Sequence, residues 1–262
     1  MRYALIAYVA SWIAANLLIA LLGLVVELHV GARVLIVDVI LLAALIPLRR
    51  SGGVTSRDLG VRRVPGARSV GYALLALIVV LIFDMCWKAI VPYGVKASAA
   101  NPFVGVSHED GFNIALTAFA AALSAPVVEE IFFRGLLYRS LRNRLPFLSA
   151  ALIAGAMFGL VHAGAYPLVS LPAKAFFGIV VYLLYERTGS LLPGIAVHSF
   201  VDAASFEGTV TSNVQVVMTV FLLLAAVLLV RPPLKGLGRL LTGRPVFRAG
   251  GARSMSDSPG AE

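Results

Sequence analysis

The sequence predicts an all-α, polytopic membrane protein with about eight transmembrane helices. The prediction depends on the composition, on the spacing of the apolar runs and on the distribution of Lys and Arg. Of the 262 residues, 60% are hydrophobic and only 13% are charged, whereas about 25% of the residues in a soluble globular domain are charged. A bilayer must therefore replace water over much of the surface.

Eight apolar runs approach the ~20 residues that one helical crossing needs. They cover residues 3–27, 34–48, 70–91, 112–138, 147–163, 168–185, 191–206 and 214–230. The second run is short. The first is too long for the core of a signal peptide, so we expect it to remain as a helix. Residues 1–230 are thus interpreted as one membrane domain, and residues 231–262 as a basic tail whose last part is expected to be disordered.

The basic residues indicate the orientation of these spans. Of the 22 Lys and Arg residues, 17 lie in alternate flanking segments, and the opposite loops hold only Arg33 and Lys96. Segments rich in Lys and Arg remain cytoplasmic, so both termini are predicted to be cytoplasmic in a plasma (inner) membrane. The net charge of +9 is then explained by topology and by attraction to anionic lipids, without a nucleic-acid partner.

Several polar residues within the apolar runs have structural interpretations. Asp84 and Lys88 are spaced i, i+4 and are expected to form an ion pair on one helix face. Lys174 is expected to snorkel towards the interface, and Asp38 has no evident partner. Cys86 is the only cysteine, which excludes an intramolecular disulfide; it is expected to be buried.

The fourth run differs because it places two carboxylates and a guanidinium in one apolar helix. Glu130 and Arg134 are spaced i, i+4 with the acid first, the favourable orientation for an ion pair. Glu129 points roughly 100° away around the helix. Arg134 can therefore pair with Glu130 and leave Glu129 available as a general base that acts on water.

Two further i, i+4 pairs follow on later helices, Phe158 with His162 and His198 with Asp202, and each pair shares one helix face. Glu129 lies 17 residues before Pro146 and His162 lies 16 residues after it. In an antiparallel hairpin these two side chains reach the same level. The sequence therefore predicts that three helices converge on one buried polar pocket.

These motifs resemble those of the CAAX protease and bacteriocin-processing membrane endopeptidases, the type II CAAX prenyl endopeptidase (ABI) group. The family pattern is Glu-Glu-x-x-x-Arg, then Phe-x-x-x-His, then His-x-x-x-Asn or Asp, each on its own transmembrane helix. The resemblance covers about residues 112–210, the expected catalytic core. It implies an intramembrane endopeptidase that acts on a membrane-associated protein or peptide.

The resemblance also implies roles for the individual residues. Glu129 and His162 would activate a water, His198 and Asp202 would stabilise the oxyanion, and Glu130 with Arg134 and Phe158 would support the site. The family usually has Asn at the last position. An ionised carboxylate at Asp202 cannot donate a hydrogen bond to an oxyanion, so either Asp202 is protonated or its role differs.

Other functions fit some of the same residues. No cofactor is expected, but His162, His198 and Asp202, with Glu129 as base or fourth ligand, also make a zinc site plausible. Among non-enzymes, a b-type haem carrier could use the two histidines as axial ligands, which leaves the glutamates unexplained. A proton-coupled transporter and an inactive immunity or scaffold protein are the remaining alternatives.

The charge bias generates a topological prediction. A reporter domain fused after Pro233 should be cytoplasmic, and a cysteine that replaces Ser98 should be labelled by an impermeant reagent from outside. Reversal of either result would show that the predicted number of spans is wrong by one.

Overall fold

Seven helices make up the regular structure of the residues described by the computed structural model, which are 4–50, 60, 66–91, 111–163 and 165–205. They are α1 (Ala4–Leu22), α2 (Val30–Arg50), α3 (Gly66–Ile90), α4 (Gly111–Arg142), α5 (Phe147–Leu160), α6 (Leu171–Thr188) and α7 (Leu192–Ser205). A short 3₁₀ turn, Leu168–Ser170, precedes α6. The predicted all-α class is confirmed.

The helices occupy seven of the eight predicted spans, and the eighth, 214–230, lies outside the described residues together with the tail. Four stretches are long and apolar enough to cross a membrane: Val30–Pro47, Ala67–Ile90, Gly111–Arg142 and Leu168–Thr188. Two apolar helices of the described part, Ala10–Leu22 and Phe147–Leu160, are shorter, and α7 has only 14 residues. The predicted number of about eight spans is therefore not confirmed by helix length.

The second helix is longer than its apolar run indicated. It extends over 21 residues, from Val30 to the arginines at its end, and includes Pro47. The apolar run ended at charged residues, but a helix continues through charges as long as its backbone hydrogen bonds are made.

Large apolar side chains are exposed along the outer faces of the helices. Leu21 of α1 is 63% exposed, Leu75 of α3 is 57% exposed and Leu148 of α5 is 63% exposed. Soluble proteins rarely expose large contiguous apolar patches, and lipid satisfies such faces. This chain is an integral membrane protein.

The long helix α4 contains two π-helical segments, Ala120–Ser124 and Ile131–Tyr138. Pro126 follows the first of them. Proline has no N–H to donate and its ring clashes with the carbonyl four residues earlier, and the wider i→i+5 turn, in which the Ala125 N–H bonds to the Ala120 carbonyl, accommodates it. The second π segment begins directly after Glu129 and Glu130, and such segments are common at functional sites.

Helices α5 and α6 approach closely because glycine lines their contact. A Cβ at Gly155 would lie 2.6 Å from a side-chain atom of Ile179, and a Cβ at Gly159 would lie 2.8 Å from the carbonyl oxygen of Leu171. Two small residues four positions apart form the packing motif of membrane helices. This contact sets the separation of the helices that carry Phe158 and Phe177.

Asp38, for which the sequence indicated no partner, accepts a 2.6 Å hydrogen bond from the hydroxyl of Ser124. Nearby on the same two helices, the N–H of Gly31 donates to the side chain of Thr117 at 3.1 Å. These contacts attach α2 to the half of α4 that leads to the paired glutamates. Asp38 could not be assigned from sequence because its partner lies 86 residues away.

The structure confirms one of the other polar assignments and corrects another. The predicted ion pair between Asp84 and Lys88 is present at 2.6 Å. Cys86, predicted to be buried, is exposed. It lies on the outer side of α3, like its neighbour Met85, which is 65% exposed, because an apolar residue of a membrane helix can face lipid instead of the core.

The glycine contact generates a stability prediction. Gly159→Ala should lower the thermal unfolding midpoint in detergent, because the added methyl group meets the backbone of α6 and overpacking costs about 1–3 kcal/mol. Gly111→Ala is the matched control, since a Cβ there meets no atom within 4 Å. Equal midpoints for the two variants would contradict the close approach of α5 and α6.

Candidate active site

The site is built around a buried ion pair in α4. The Arg134 Nη1 lies 3.0 Å from the Glu130 Oε1, and neither side chain is exposed to solvent. The predicted i, i+4 pair is therefore confirmed. The guanidinium carbon also lies 4.7 Å from the ring centroids of Phe158 and Tyr182. These aromatic faces stabilise the Arg134 cation in addition to its ion pair with Glu130.

Glu130 has a second partner that the sequence did not indicate. The Nδ1 of His198 lies 2.9 Å from the same Oε1 that faces Arg134. A carboxylate that is paired with a guanidinium accepts hydrogen bonds, so Nδ1 is the donor. Glu130 therefore holds the His198 ring in its orientation and also compensates the charge of Arg134.

A glycine on α7 makes room for this arrangement. A Cβ at Gly194 would lie 2.8 Å from the Glu130 Oε2 and 2.9 Å from a methyl carbon of Val181. Any larger side chain would displace the carboxylate that holds His198. The signal for this residue in the sequence was weak, since Gly194 follows a proline at a helix start and resembles an ordinary turn.

The other nitrogen of His198 faces two carboxylates. Its Nε2 lies 3.3 Å from the Asp202 Oδ2 and 3.8 Å from the Glu129 Oε2. The His198 side chain is 4% exposed, whereas that of Glu129 is 26% exposed and that of Asp202 is 20% exposed. The two adjacent glutamates thus differ as predicted, since Glu130 is sealed in the core and Glu129 reaches a more open space.

His162 lies just beyond the end of α5, which corrects the predicted span of 147–163. The helix ends at Leu160, and the chain then turns, with the Tyr166 N–H bonded to the His162 carbonyl at 3.0 Å. The His162 Nδ1 lies 2.7 Å from the carbonyl oxygen of Phe158. A carbonyl only accepts, so Nδ1 carries a proton and Nε2 of the neutral ring holds the free lone pair.

Phe158 connects the two histidines to the ion pair. It is fully buried, and its ring centroid lies 4.9 Å from that of His162 and 5.7 Å from that of His198. Phe177 contacts His198 as well, with 4.7 Å between the two ring centroids. One ring therefore packs against side chains of all three motifs, and the supporting role of Phe158 stays a prediction.

A cleft with a volume of about 510 Å³ opens beside these residues. His162, His198 and Asp202 lie on its wall. Its apolar lining comes from α3, α6 and α7 and includes Val80, Leu81, Phe83, Phe176 and Val201. Glu129 faces His198, whereas His162 contacts Phe158 and Tyr166. The joint action of Glu129 and His162 on one water stays a prediction.

Comparison with known proteins supports the resemblance seen in the motifs. Residues 111–204 match the family model described as type II CAAX prenyl endopeptidase Rce1-like. The similarity is to this segment of the chain, which contains all seven residues of the three motifs. Residues 112–210 as the catalytic core stay a prediction.

One curated protein that the chain resembles is named "Putative membrane peptidase YdiL" and comes from Bacillus subtilis (strain 168). It is 31% identical over 85 residues, which cover 32% of this chain and 34% of the relative. The chain therefore matches about a third of the length of this relative. No solved structure matches the chain.

The predicted zinc ligands are brought together only in part. His198, Asp202 and Glu129 converge, while His162 is bonded to the backbone of Phe158. Within the described ranges, no group of three or more His, Cys, Asp or Glu side chains is arranged so that it could hold a metal ion.

The double role of Glu130 generates a stability prediction. Glu130→Gln should lower membrane yield and thermal stability, because it leaves Arg134 as an uncompensated buried charge, which costs about 3–5 kcal/mol in soluble proteins. Glu186→Gln is the matched control. Its carboxylate pairs with Arg142 at 3.1 Å and accepts a hydrogen bond from Tyr138 at 3.1 Å. Because the Arg142 side chain is 38% exposed, no buried charge is stranded, and the loss should be clearly smaller than that of Glu130→Gln.

Thermal unfolding of both variants, followed in the same detergent, provides the measurement. Identical midpoints for Glu130→Gln and wild type would show that the pair does not hold the core together.

Proposed function

We propose that the protein is an intramembrane endopeptidase that hydrolyses a peptide bond of a membrane-associated protein or peptide. The observation that carries this proposal is the position of His198. One imidazole nitrogen is held by the buried pair of Glu130 and Arg134, and the other faces Glu129 and also Asp202, which lies on the wall of the cleft. The match of residues 111–204 to an endopeptidase family supports the same function.

In the proposed reaction, Glu129 accepts a proton from a water whose oxygen attacks the carbonyl carbon of the scissile bond. His162 assists, since its Nε2 lone pair is free to orient that water. The electron pair of the carbonyl moves to its oxygen, and His198 with residue 202 stabilises the oxyanion. The C–N bond then breaks, and the proton held by Glu129 passes to the leaving amine.

The cleft favours a substrate that is itself in the membrane. Its lining is largely apolar and comes from helices that span the bilayer, so an apolar segment can enter it laterally. We further propose that the enzyme lies in the plasma membrane with both termini cytoplasmic and that anionic lipids contact its basic segments, as the distribution of Lys and Arg predicts.

The zinc-dependent version of this protease remains the alternative mechanism because His198 and Asp202 are ligand types that zinc prefers. The haem carrier gains no support, since the buried ring of Phe158 packs against both histidines. The scaffold alternative leaves the convergence of Glu129, His198 and Asp202 without a role. A proton-coupled transporter would use such a cluster, but the match of residues 111–204 to an endopeptidase family favours the protease.

Removal of the proposed base tests the function. Glu129→Gln should abolish cleavage while yield and thermal stability stay normal, because the side chain is partly exposed and leaves no buried charge unpaired. The measurement compares membrane proteomes of cells that carry the wild-type or the Glu129→Gln gene in place of the natural copy. Uncut substrates should accumulate only in cells that carry Glu129→Gln, and only the variant protein should capture them.

The control is Glu186→Gln, which removes a carboxylate at the far end of α4 and α6 and should leave the proteome unchanged. If Glu129→Gln also leaves every membrane protein processed as in wild type, the proposed endopeptidase function is wrong.

Asp202 distinguishes the two mechanisms. Without a metal, Asp202→Asn should at least maintain the cleavage rate, because an amide N–H donates to an oxyanion at any pH. With zinc, the same substitution should reduce bound metal and turnover together, because Asn is a much poorer ligand. The cleavage rates and zinc contents of wild type and Asp202→Asn distinguish the two mechanisms. Stoichiometric zinc in wild type that falls in parallel with activity in the variant would exclude the metal-free mechanism.

A further inference from the structure

Two lysines that the three motifs do not include, Lys88 and Lys174, line the cleft. Lys174 lies on the cleft wall with His162, His198 and Asp202. Its ammonium is 4.3 Å from the ring centroid of Tyr166, which also lines the cleft. The predicted snorkelling of Lys174 stays a prediction, but the side chain lines the cleft and its ammonium lies over an aromatic ring.

Helix stability does not explain a lysine at this place. Lys174 is the fourth residue of α6, and a cation in the first turn of a helix is disfavoured by the positive end of the helix dipole. Lys174 shares the cleft wall with three of the four proposed catalytic residues, His162, His198 and Asp202.

Of the two groups proposed above for the oxyanion, His198 is partly engaged by other partners, and residue 202 offers no donor when its carboxylate is ionised. The His198 Nε2 already faces the carboxylates of Asp202 and Glu129, and Asp202 stands where the related endopeptidases usually have an amide. An ionised carboxylate only accepts hydrogen bonds, whereas an ammonium offers three N–H donors and no acceptor. A lysine can therefore supply what residue 202 does not.

We propose that Lys174 is a further catalytic residue, an oxyanion donor that compensates for Asp202 in the reaction described above. This inference rests on the proposed endopeptidase function. When water attacks, the carbonyl electron pair moves to oxygen, and the Lys174 ammonium donates a hydrogen bond to that oxygen without losing its proton. The proton of the water still goes to Glu129 and then to the leaving amine. Tyr166 is a positioning residue that holds the ammonium.

The test uses full-length protein in lipid nanodiscs and a fluorogenic peptide that spans a cleavage site mapped in the Glu129→Gln experiment. Lys174→Met should lower kcat about 100- to 1,000-fold, the usual effect of removing one oxyanion donor, with little change in KM. Lys174→Arg, which keeps the charge, should recover part of the rate. Lys88→Met is the control: it removes the other cleft lysine, which is paired with Asp84, and should keep kcat near the wild-type value.

Binding of a phosphinate analogue of the same peptide separates a catalytic from a structural role. The phosphinate is a tetrahedral anion that imitates the oxyanion, so Lys174→Met should weaken its binding by a factor similar to the loss in kcat. Binding of the uncleaved peptide is measured with Glu129→Gln protein. Adding Lys174→Met to that protein should leave the binding of the peptide unchanged. Equal weakening of both ligands would show that Lys174 only shapes the cleft, which overturns the inference.

The compensation for Asp202 is tested by a double-mutant cycle. If Lys174 replaces the amide donor, Lys174→Met should cost less in an Asp202→Asn background than in wild type. Strictly additive losses would refute the compensation. If wild type cleaves the peptide and Lys174→Met cleaves it equally fast, the inference fails and the proposed function stands; if Glu129→Gln cleaves it at the wild-type rate, the proposed function itself fails.

Discussion

The structure depends on one fully buried carboxylate, Glu130. A charge inside a membrane protein is stable only if it is paired, and Glu130 is paired twice, with Arg134 of its own helix and with His198 of α7. Arg134 is in turn covered by the rings of Phe158 and Tyr182. Three helices besides α4 are thereby tied to a single ion pair, so their relative positions cannot change without exposing or stranding a charge.

Adjacent residues acquire opposite properties from this arrangement. Glu129 and Glu130 have the same chemistry and are neighbours in sequence, yet the side chain of one is 26% exposed and that of the other is not exposed at all. The helix rotates them apart by about 100°, and the core accepts only the one that meets Arg134. The exposed glutamate is left with a histidine and an aspartate around it, which is the composition of a site that moves protons.

The cleft is assembled from two parts of the chain, one inside and one outside the family match. The match begins at residue 111, and the matched segment supplies His162, His198, Asp202 and Lys174 of the cleft wall. The wall formed by Val80, Leu81 and Phe83 belongs to α3, which precedes it. Phe83 stacks on Phe176 of α6 with ring centroids 3.8 Å apart. A helix outside the matched segment therefore contributes to the shape of the cleft.

The sequence by itself determined the contacts that lie within one turn of a helix. The pairs Glu130–Arg134, His198–Asp202 and Asp84–Lys88 were all predictable, because the 3.6-residue period places positions i and i+4 together whatever the rest of the chain does. The tertiary structure alone decided the bond from His198 to Glu130, the hydrogen bond from Ser124 to Asp38 and the approach of Lys174 to the cleft. These contacts depend on how far apart the helix axes lie and on how each helix is rotated about its axis. Close packing at glycines such as Gly159 and Gly194 sets both quantities. No local period in the sequence encodes that packing.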